Sequence, residues 1–225
     1  MLAITGASDG IGAEVARAAV ADGWRVVLAA RRRELLDALA DELGGSAHAV
    51  AVTADVTEWD DVQTIPEAAL SAFGRLDAVL ANAGFGATRG FLNESPEFWK
   101  SMVLTNVYGA ALTLRACIPA LTEAKGHVML MGSVSGRQVG TGSLYSCTKW
   151  AVTAMAEAAR KDLHGTGVRV TLIAPGIVDT AFYDDPVGGA PLVPADVARA
   201  VLYALDQPPH VSINEIIMRP TEQDF

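Results

Sequence analysis

The feature that most limits the folds open to this chain is an alternation of short apolar runs with longer segments whose apolar residues recur at helical spacing. Residues 2–5 are such a run. They stop at a glycine-rich turn, after which Ile11, Val15, Ala18 and Ala19 fall on one helical stripe. Strand-like segments follow at 24–30, 47–53, 76–81, 126–131, 168–174 and 215–219. Helical segments occupy 31–43, 58–73, 95–121, 145–163 and 194–205, and Pro119 is expected to end or kink the longest of them. Strands that are apolar on both faces need cover on both faces, and right-handed crossovers place helices there. The series therefore specifies an α/β fold, a doubly wound parallel sheet of seven strands with helices on both faces.

With 225 residues, of which 51% are apolar and 19% charged, the chain has material for one core and too little for two. No Pro/Ser/Gly-rich linker and no internal repeat divides it, so 1–225 is expected to be a single domain. Within it, 184–194 lacks periodicity and is punctuated by Pro186, Gly188, Gly189, Pro191 and Pro194, which suggests a mobile substrate loop. The 17 Lys and Arg against 26 Asp and Glu give a formal charge of -9, which disfavours nucleic acid and anionic membranes as partners. No apolar run approaches the roughly 18 to 20 residues of a membrane span, and the start lacks a signal-peptide pattern, so a cytoplasmic location is expected. Cys117 and Cys147 form no CxxC pattern, and the four His are scattered, so neither a disulfide framework nor a metal site is signalled.

The turn after the first strand reads Thr5-Gly6-Ala7-Ser8-Asp9-Gly10-Ile11-Gly12. A GxxxGxG spacing between a strand and a helix lets backbone N–H groups and the helix dipole approach a pyrophosphate; its bland reading is a tight connection. Gly6, Ser8, Asp9, Gly10, Ile11 and Gly12 are the candidate contacts, and the fold is then of Rossmann type. At the end of the second strand an acidic residue would bind a ribose 2′-hydroxyl, but here the residues are Ala29-Ala30-Arg31-Arg32-Arg33. Arg31 and Arg32 offer charge-assisted donors to a 2′-phosphate, which favours NADP(H) over NAD(H); alternatively they form a solvated first helical turn.

At Tyr145-Ser146-Cys147-Thr148-Lys149 the chain resembles the short-chain dehydrogenase/reductase family, and the glycine turn matches that family's cofactor loop. Further matches are Asp55-Val56, Asn82-Ala83-Gly84, Asn106, Ser133 and the run Pro175-Gly176-Ile177-Val178-Asp179-Thr180. Tyr145 and Lys149 stand at i and i+4, one face of one helix, where the ammonium favours the phenolate of a group that ordinarily titrates near about 10. Tyr145 is the candidate general acid in reduction and base in oxidation. The resemblance implies that Lys149 also holds the nicotinamide ribose, that Ser133 hydrogen-bonds the substrate oxygen, and that Asn106 positions a water in the proton relay. It implies that Asp55 and Val56 border the adenine, and that Asn82, Ala83 and Gly84 flank the adenosine ribose and diphosphate. It further implies that Pro175, Gly176 and Ile177 complete the cofactor site and that Thr180 anchors the carboxamide. Asp55 reads equally as a helix-start residue.

Ser133 and Tyr145 are about one residue closer than in many family members, with Ser135 as the fallback for Ser133. Cys147, at i+2 from Tyr145, should point away from the active-site face as a buried small hydrophobe. Candidate substrate residues are Val134, Arg137, Val139, Leu144, Gly176, Ile177, Phe182 and Tyr183, with Arg137 either clamping a carboxylate or forming a surface salt bridge. The ending at 213–221 resembles NADP-dependent 3-hydroxy acid and serine-type dehydrogenases. The expectation is NADP(H)-dependent interconversion of a carbonyl and an alcohol, on a small 3-hydroxy or 3-oxo acid, ketone or aldehyde. A 3-oxoacyl thioester reductase or a non-catalytic NADP-sensing regulator are the alternatives. Apolar Trp99, Val103, Trp150, Val152 and Met155 on the helices at 95–121 and 145–163 lie where the family builds a subunit interface, implying a homodimer or homotetramer.

Overall fold

The computed structural model describes residues 1–180, 182 and 188–223. Seven parallel strands form one sheet in the order β3-β2-β1-β4-β5-β6-β7: β1 (Leu2–Thr5), β2 (Val26–Ala30), β3 (Ala49–Thr53), β4 (Ala78–Ala81), β5 (His127–Met131), β6 (Arg169–Pro175) and β7 (Glu215–Met218). The helices are α1 (Gly10–Ala21), α2 (Arg33–Glu42), α3 (Trp59–Phe73), α4 (Pro96–Val103), α5 (Ala110–Ala124), α6 (Leu144–Asp162) and α7 (Pro194–Leu205). The strand order reverses between β1 and β4, which leaves a crevice beyond their carboxyl ends.

The double-sided apolar pattern of the strands has a direct structural counterpart. Leu2, Ile4, Val26, Leu28, Leu80 and Met129 face one core with α1, α2 and α7, while Ala3, Val27, Val79, Val128 and Leu130 face the other with α3, α5 and α6. Successive residues of a strand point to opposite faces, so a strand covered on both sides has no position for an exposed polar residue.

The long helix departs from its expected course in two places. A π-helical stretch, Leu104–Gly109, interrupts it between α4 and α5, and Pro119 lies inside α5 without ending it. Proline removes only its own donor, and the end comes later, where Lys125 adopts φ 50° and Gly126 N–H donates to Leu121 O. The rod Pro96–Ala124 is also, by length and composition, long and apolar enough to cross a membrane, which corrects the sequence-based expectation. Its apolarity has a use in this fold, because α5 packs against α3, β4 and β5. The helix α2 begins at Arg33, two residues later than expected, which leaves Arg31 and Arg32 in the connection that faces the crevice.

Of the expected mobile loop at 184–194, residues 184–187 lie outside the described residues. Its far end is anchored: Leu192 bridges to Val178, Leu192 N–H donates to Ile177 O at 3.0 Å, and Asp179 N–H donates to Leu192 O at 2.8 Å.

Candidate active site

A cleft of about 970 Å³ opens along the carboxyl ends of β1, β2, β4, β5 and β6. At one end stands the glycine turn. A Cβ on Gly12 would lie 2.3 Å from Gly6 O and 2.8 Å from Asn82 Nδ2, so only hydrogen fits there. Gly6 at φ 65° adopts a conformation that side chains resist, and its own Cβ would meet Ala83 Cα at 2.9 Å. Asn82 locks this approach by donating to Thr5 O at 2.9 Å and Gly6 O at 3.3 Å.

The N-terminus of α1 has no side-chain cap from Asp9 and no acidic residue in its first turn, so its positive end is left to an anion. Asp9 is instead paired with Arg32, whose Nη2 also donates to Ser8 Oγ at 2.7 Å. Arg33 turns outward to Asp37 at 2.8 Å. Arg31 lines the cleft and has no ion-pair partner among the described residues. A tight glycine cradle, an uncapped helix end and a guanidinium without an ion-pair partner among the described residues are donors suited to a pyrophosphate, so the residues fit a dinucleotide. Asp55 and Val56 line this end too, and the Asp55 carboxylate accepts from Thr57 N–H at 2.9 Å and Thr57 Oγ1 at 2.8 Å. Asp55 therefore lines the cleft and closes the turn ahead of α3, whose N-cap is Glu58 and not Asp55.

Midway along the cleft, α6 presents Tyr145 and Lys149. Ser143 caps this helix, accepting from Ser146 N–H at 3.1 Å, and so fixes the register that aims both residues inward. Lys149 is only 5% exposed, its Nζ donates to Met131 O at 2.8 Å and lies 5.7 Å from the Tyr145 ring centroid. Loss of hydration holds its ammonium down at about 8, against 10.5 for a free lysine. Beyond β5, Ser133 Oγ accepts from Ser135 N–H at 3.1 Å, which leaves the hydroxyl proton to be donated into the cleft. Ser135 lines the cleft as well.

The short chain dehydrogenase family model matches residues 1–186. This chain is a short-chain dehydrogenase. An uncharacterised oxidoreductase of Staphylococcus aureus (strain USA300) is 39% identical over 221 residues, covering 96% of this chain and 95% of the relative. The closed form of serine dehydrogenase complexed with NADP+ is similar in structure, with a TM-score of 0.91 at 31% identity over 100% of this chain and 97% of that one. The 3-ketoacyl-(acyl-carrier-protein) reductase of Brucella melitensis, complexed with NADH, superposes with a TM-score of 0.88 at 26% identity over 96% of each chain. The dehydrogenase thus has the family's Rossmann-type fold and belongs to a family of oxidoreductases.

The cleft of this dehydrogenase gathers Gly6, Ser8, Asp9, Gly10, Ile11, Arg31, Arg32, Asp55, Val56, Asn82, Ala83, Gly84, Ser133, Tyr145, Lys149, Pro175, Gly176, Ile177 and Thr180. Gly12 and Asn106 support it from behind. Asn106 is 2% exposed: its Oδ1 accepts from Phe85 N–H at 3.0 Å, and its Nδ2 donates to Phe85 O at 2.9 Å and Thr148 Oγ1 at 3.1 Å. With both amide hydrogens committed, it ties the Gly84-Phe85 segment to α6, and its neighbour Thr105 is the residue that lines the cleft.

At the substrate end, Val134, Val139, Gly176, Ile177 and Phe182 line the cleft, and the Phe182 ring meets Tyr145 edge-on with centroids 5.6 Å apart. Leu144 and Arg137 do not line it. Arg137 pairs with Glu215 at the start of β7, so it is the salt bridge and not the clamp that the structure shows. Tyr183 lies outside the described residues. Cys147 is exposed, correcting the expectation of burial: α6 turns that face away from the cleft, but nothing among the described residues covers it. Cys117 is the buried thiol, pushed up to about 12 by loss of hydration. Sequence reading missed Phe85, Gly86, Arg89, Phe98, Gln138 and Gln223, all on the cleft. Gln223 Oε1 accepts from Ile177 N–H at 2.9 Å and reaches the site from about fifty residues away, where no periodicity marks it.

Among the described residues no group of three or more His, Cys, Asp or Glu is placed to hold a metal.

Proposed function

We propose that this dehydrogenase interconverts a carbonyl and a primary or secondary alcohol with NADP(H), Tyr145 being the general acid in reduction and the general base in oxidation. The observation that carries the reading is Tyr145 and Lys149 one turn apart on α6, with the ammonium against the phenol ring inside a cleft that Ser133 also lines. The nicotinamide, when bound, supplies or accepts the hydride at the substrate carbon. The protein's part is to manage charge on the substrate oxygen. Ser133 donates its hydroxyl proton to that oxygen as negative charge develops, and Tyr145 Oη delivers the proton that completes the alcohol. Lys149 favours the phenolate that remains. Asn106 acts through Phe85 and Thr148 as a positioning residue.

Arg31 supports NADP(H) over NAD(H), as do structural relatives that hold NADP, whereas Arg32 is held by Asp9. The serine dehydrogenase likeness supports a small hydroxy or oxo acid, ketone or aldehyde as substrate, with a 3-oxoacyl thioester as the second reading from the reductase likeness. The test is a carbonyl panel followed at the nicotinamide absorbance with each cofactor. Tyr145→Phe is expected to lower kcat by about a hundredfold to ten-thousandfold while leaving NADPH binding in place. Equal rates in the variant would remove Tyr145 from the mechanism.

The same reading includes a homodimer or homotetramer. Val103, Tyr108 and Trp150 are exposed on the rod and α6, whereas Val152 and Met155 pack into the core and Trp99 meets Phe91 edge-on. Light scattering that gives the monomer mass alone at micromolar concentration would end that part of the reading.

A further inference from the structure

We propose that Arg89 selects the substrate, its guanidinium binding a carboxylate carried by the carbonyl or alcohol compound that reacts at Tyr145. The proposal rests on the oxidoreductase reading above and adds to it the charge of the substrate and the residue that reads it.

Arg89 lines the substrate end of the cleft beside Phe85, Gln138 and Val139. Its position is built. Gly90 N–H donates to Gly142 O at 3.0 Å, and a Cβ on Gly142 would lie 2.8 Å from Gly90 Cα, so the two loops touch backbone to backbone. Asn93 Nδ2 donates to Arg89 O at 2.5 Å and closes the turn that follows. The guanidinium then lies against Gly140, where a Cβ would stand 3.2 Å from Nε and 3.3 Å from Cζ; a side chain there would displace it.

What makes Arg89 a binding group is that nothing in the described chain uses its charge. Among the described residues every arginine except Arg31 and Arg89 is engaged in a hydrogen bond, ion pair, ring contact or other electrostatic interaction. Glu94, the acid nearest in sequence, is spent on Thr88 N–H at 2.8 Å. Both uncommitted guanidiniums line the one cleft, Arg31 at its dinucleotide end and Arg89 at the other. A chain of formal charge -9 has carboxylates enough to neutralise both, so leaving two cations open on the cleft is informative. Lys149 is buried against Met131 and is not available to the mouth. Arg89 is thus the one exposed charge at the substrate end among the described residues, set beside apolar Phe85 and Val139. The planar guanidinium fork matches a carboxylate bidentately, and one such charge balances one carboxylate.

The experiment pairs acetoacetate with its uncharged methyl ester. Each is titrated into the NADP+ complex, where no reduction occurs, and each is assayed with NADPH, using the parent, Arg89→Gln and Arg89→Lys. The acid is expected to bind more tightly than the ester in the parent. Arg89→Gln should raise the acid-to-ester ratio of Kd and lower that of kcat/KM, each by roughly tenfold to hundredfold, and Arg89→Lys should reverse part of both changes. Unchanged NADP+ affinity and melting temperature in Arg89→Gln would show that the fold is intact. A parent with no preference for the acid, or a preference that survives Arg89→Gln, overturns the proposal. Arg89-dependent acid binding without any reduction would keep the anion site and sink the oxidoreductase reading. Reduction of neutral carbonyls without acid preference would do the reverse.

Discussion

The two ends of the cleft are built on different principles. At the dinucleotide end the groups that would meet a ligand are first bound to one another: Asn82 to Thr5 and Gly6, Arg32 to Ser8 and Asp9, Asp55 to Thr57. Glycine contacts such as Gly12 against Gly6 O leave no room for adjustment. At the substrate end the walls are loops from four places, namely 85–89, 138–140, 176–180 with Phe182, and Gln223, joined by ring edges and a few backbone bonds. Val139 there is 66% exposed. A constant ligand rewards a rigid cradle carried on strand ends, whereas a substrate that differs among relatives is accommodated on connections that change without disturbing the sheet.

Lys149 sits where the two ends meet, and removing it should have the largest effect. Lys149→Met is expected to lower turnover by about a hundredfold or more, because Tyr145 loses the cation beside it. Its stability should move the other way. The folded pKa of about 8 lies below the 10.5 of the free group, so the unfolded chain binds the extra proton between those values. Wild-type stability relative to the variant should therefore be lowest below pH 8. It should climb as pH rises from 8 to 10.5, by up to about 3 kcal/mol. Paired melting curves across that window check it, and a flat difference would mean that the ammonium is not desolvated in the native state.

The next largest effect tests the rigidity of the dinucleotide end. Gly12→Ala puts a methyl group 2.3 Å from a backbone oxygen, with no flexible side chain to yield. We expect a loss of about 1 to 3 kcal/mol in NADP(H) binding or in stability, read by titration and by melting temperature. An alanine at Gly86 makes the contrast, because its Cβ would meet only the far edge of the Phe182 ring at 2.7 Å, and that ring can turn aside. Equal damage at both positions would erase the distinction between the ends.

This difference also decided what the sequence made legible. The strands are continuous apolar runs with alternate residues in opposite cores, so their existence and parallel direction followed from pattern alone. The glycine turn and the Tyr145–Lys149 pair were legible because their spacing is fixed by a turn and by a helical repeat. Arg89, Gln138 and Gln223 were not, since they meet through loops whose course is set by contacts such as Gly90 to Gly142. The sequence left Arg137 open between clamp and salt bridge for the same reason: it stands beside the right loop, but only the fold shows that Glu215, brought close by β7, takes its charge. The exposure of Cys147 was missed because helical spacing gives a direction but not what covers it.

Within the dinucleotide end the two cleft-facing arginines should behave differently. Arg31 carries no competing carboxylate among the described residues, so Arg31→Ala is expected to weaken NADP(H) by about 1.5 to 3 kcal/mol, roughly tenfold to hundredfold, with NAD(H) little changed. Equal loss for both cofactors would remove the 2′-phosphate from Arg31.

Arg32 should give the smallest effect, and the reason is already in its contacts. Its charge is shared with Asp9 in an exposed pair, the kind that contributes about 0 to 1 kcal/mol. Arg32→Ala would leave the Asp9 carboxylate uncompensated beside the α1 N-terminus, where it opposes any bound phosphate. We expect a loss of less than about fivefold that falls on NADP(H) and NAD(H) alike, because both carry the pyrophosphate. Adding Asp9→Asn should restore most of it. If Arg32→Ala instead discriminates against NADP(H) more strongly than Arg31→Ala, Arg32 leaves Asp9 when the cofactor arrives. The dinucleotide end would then be the adaptable one.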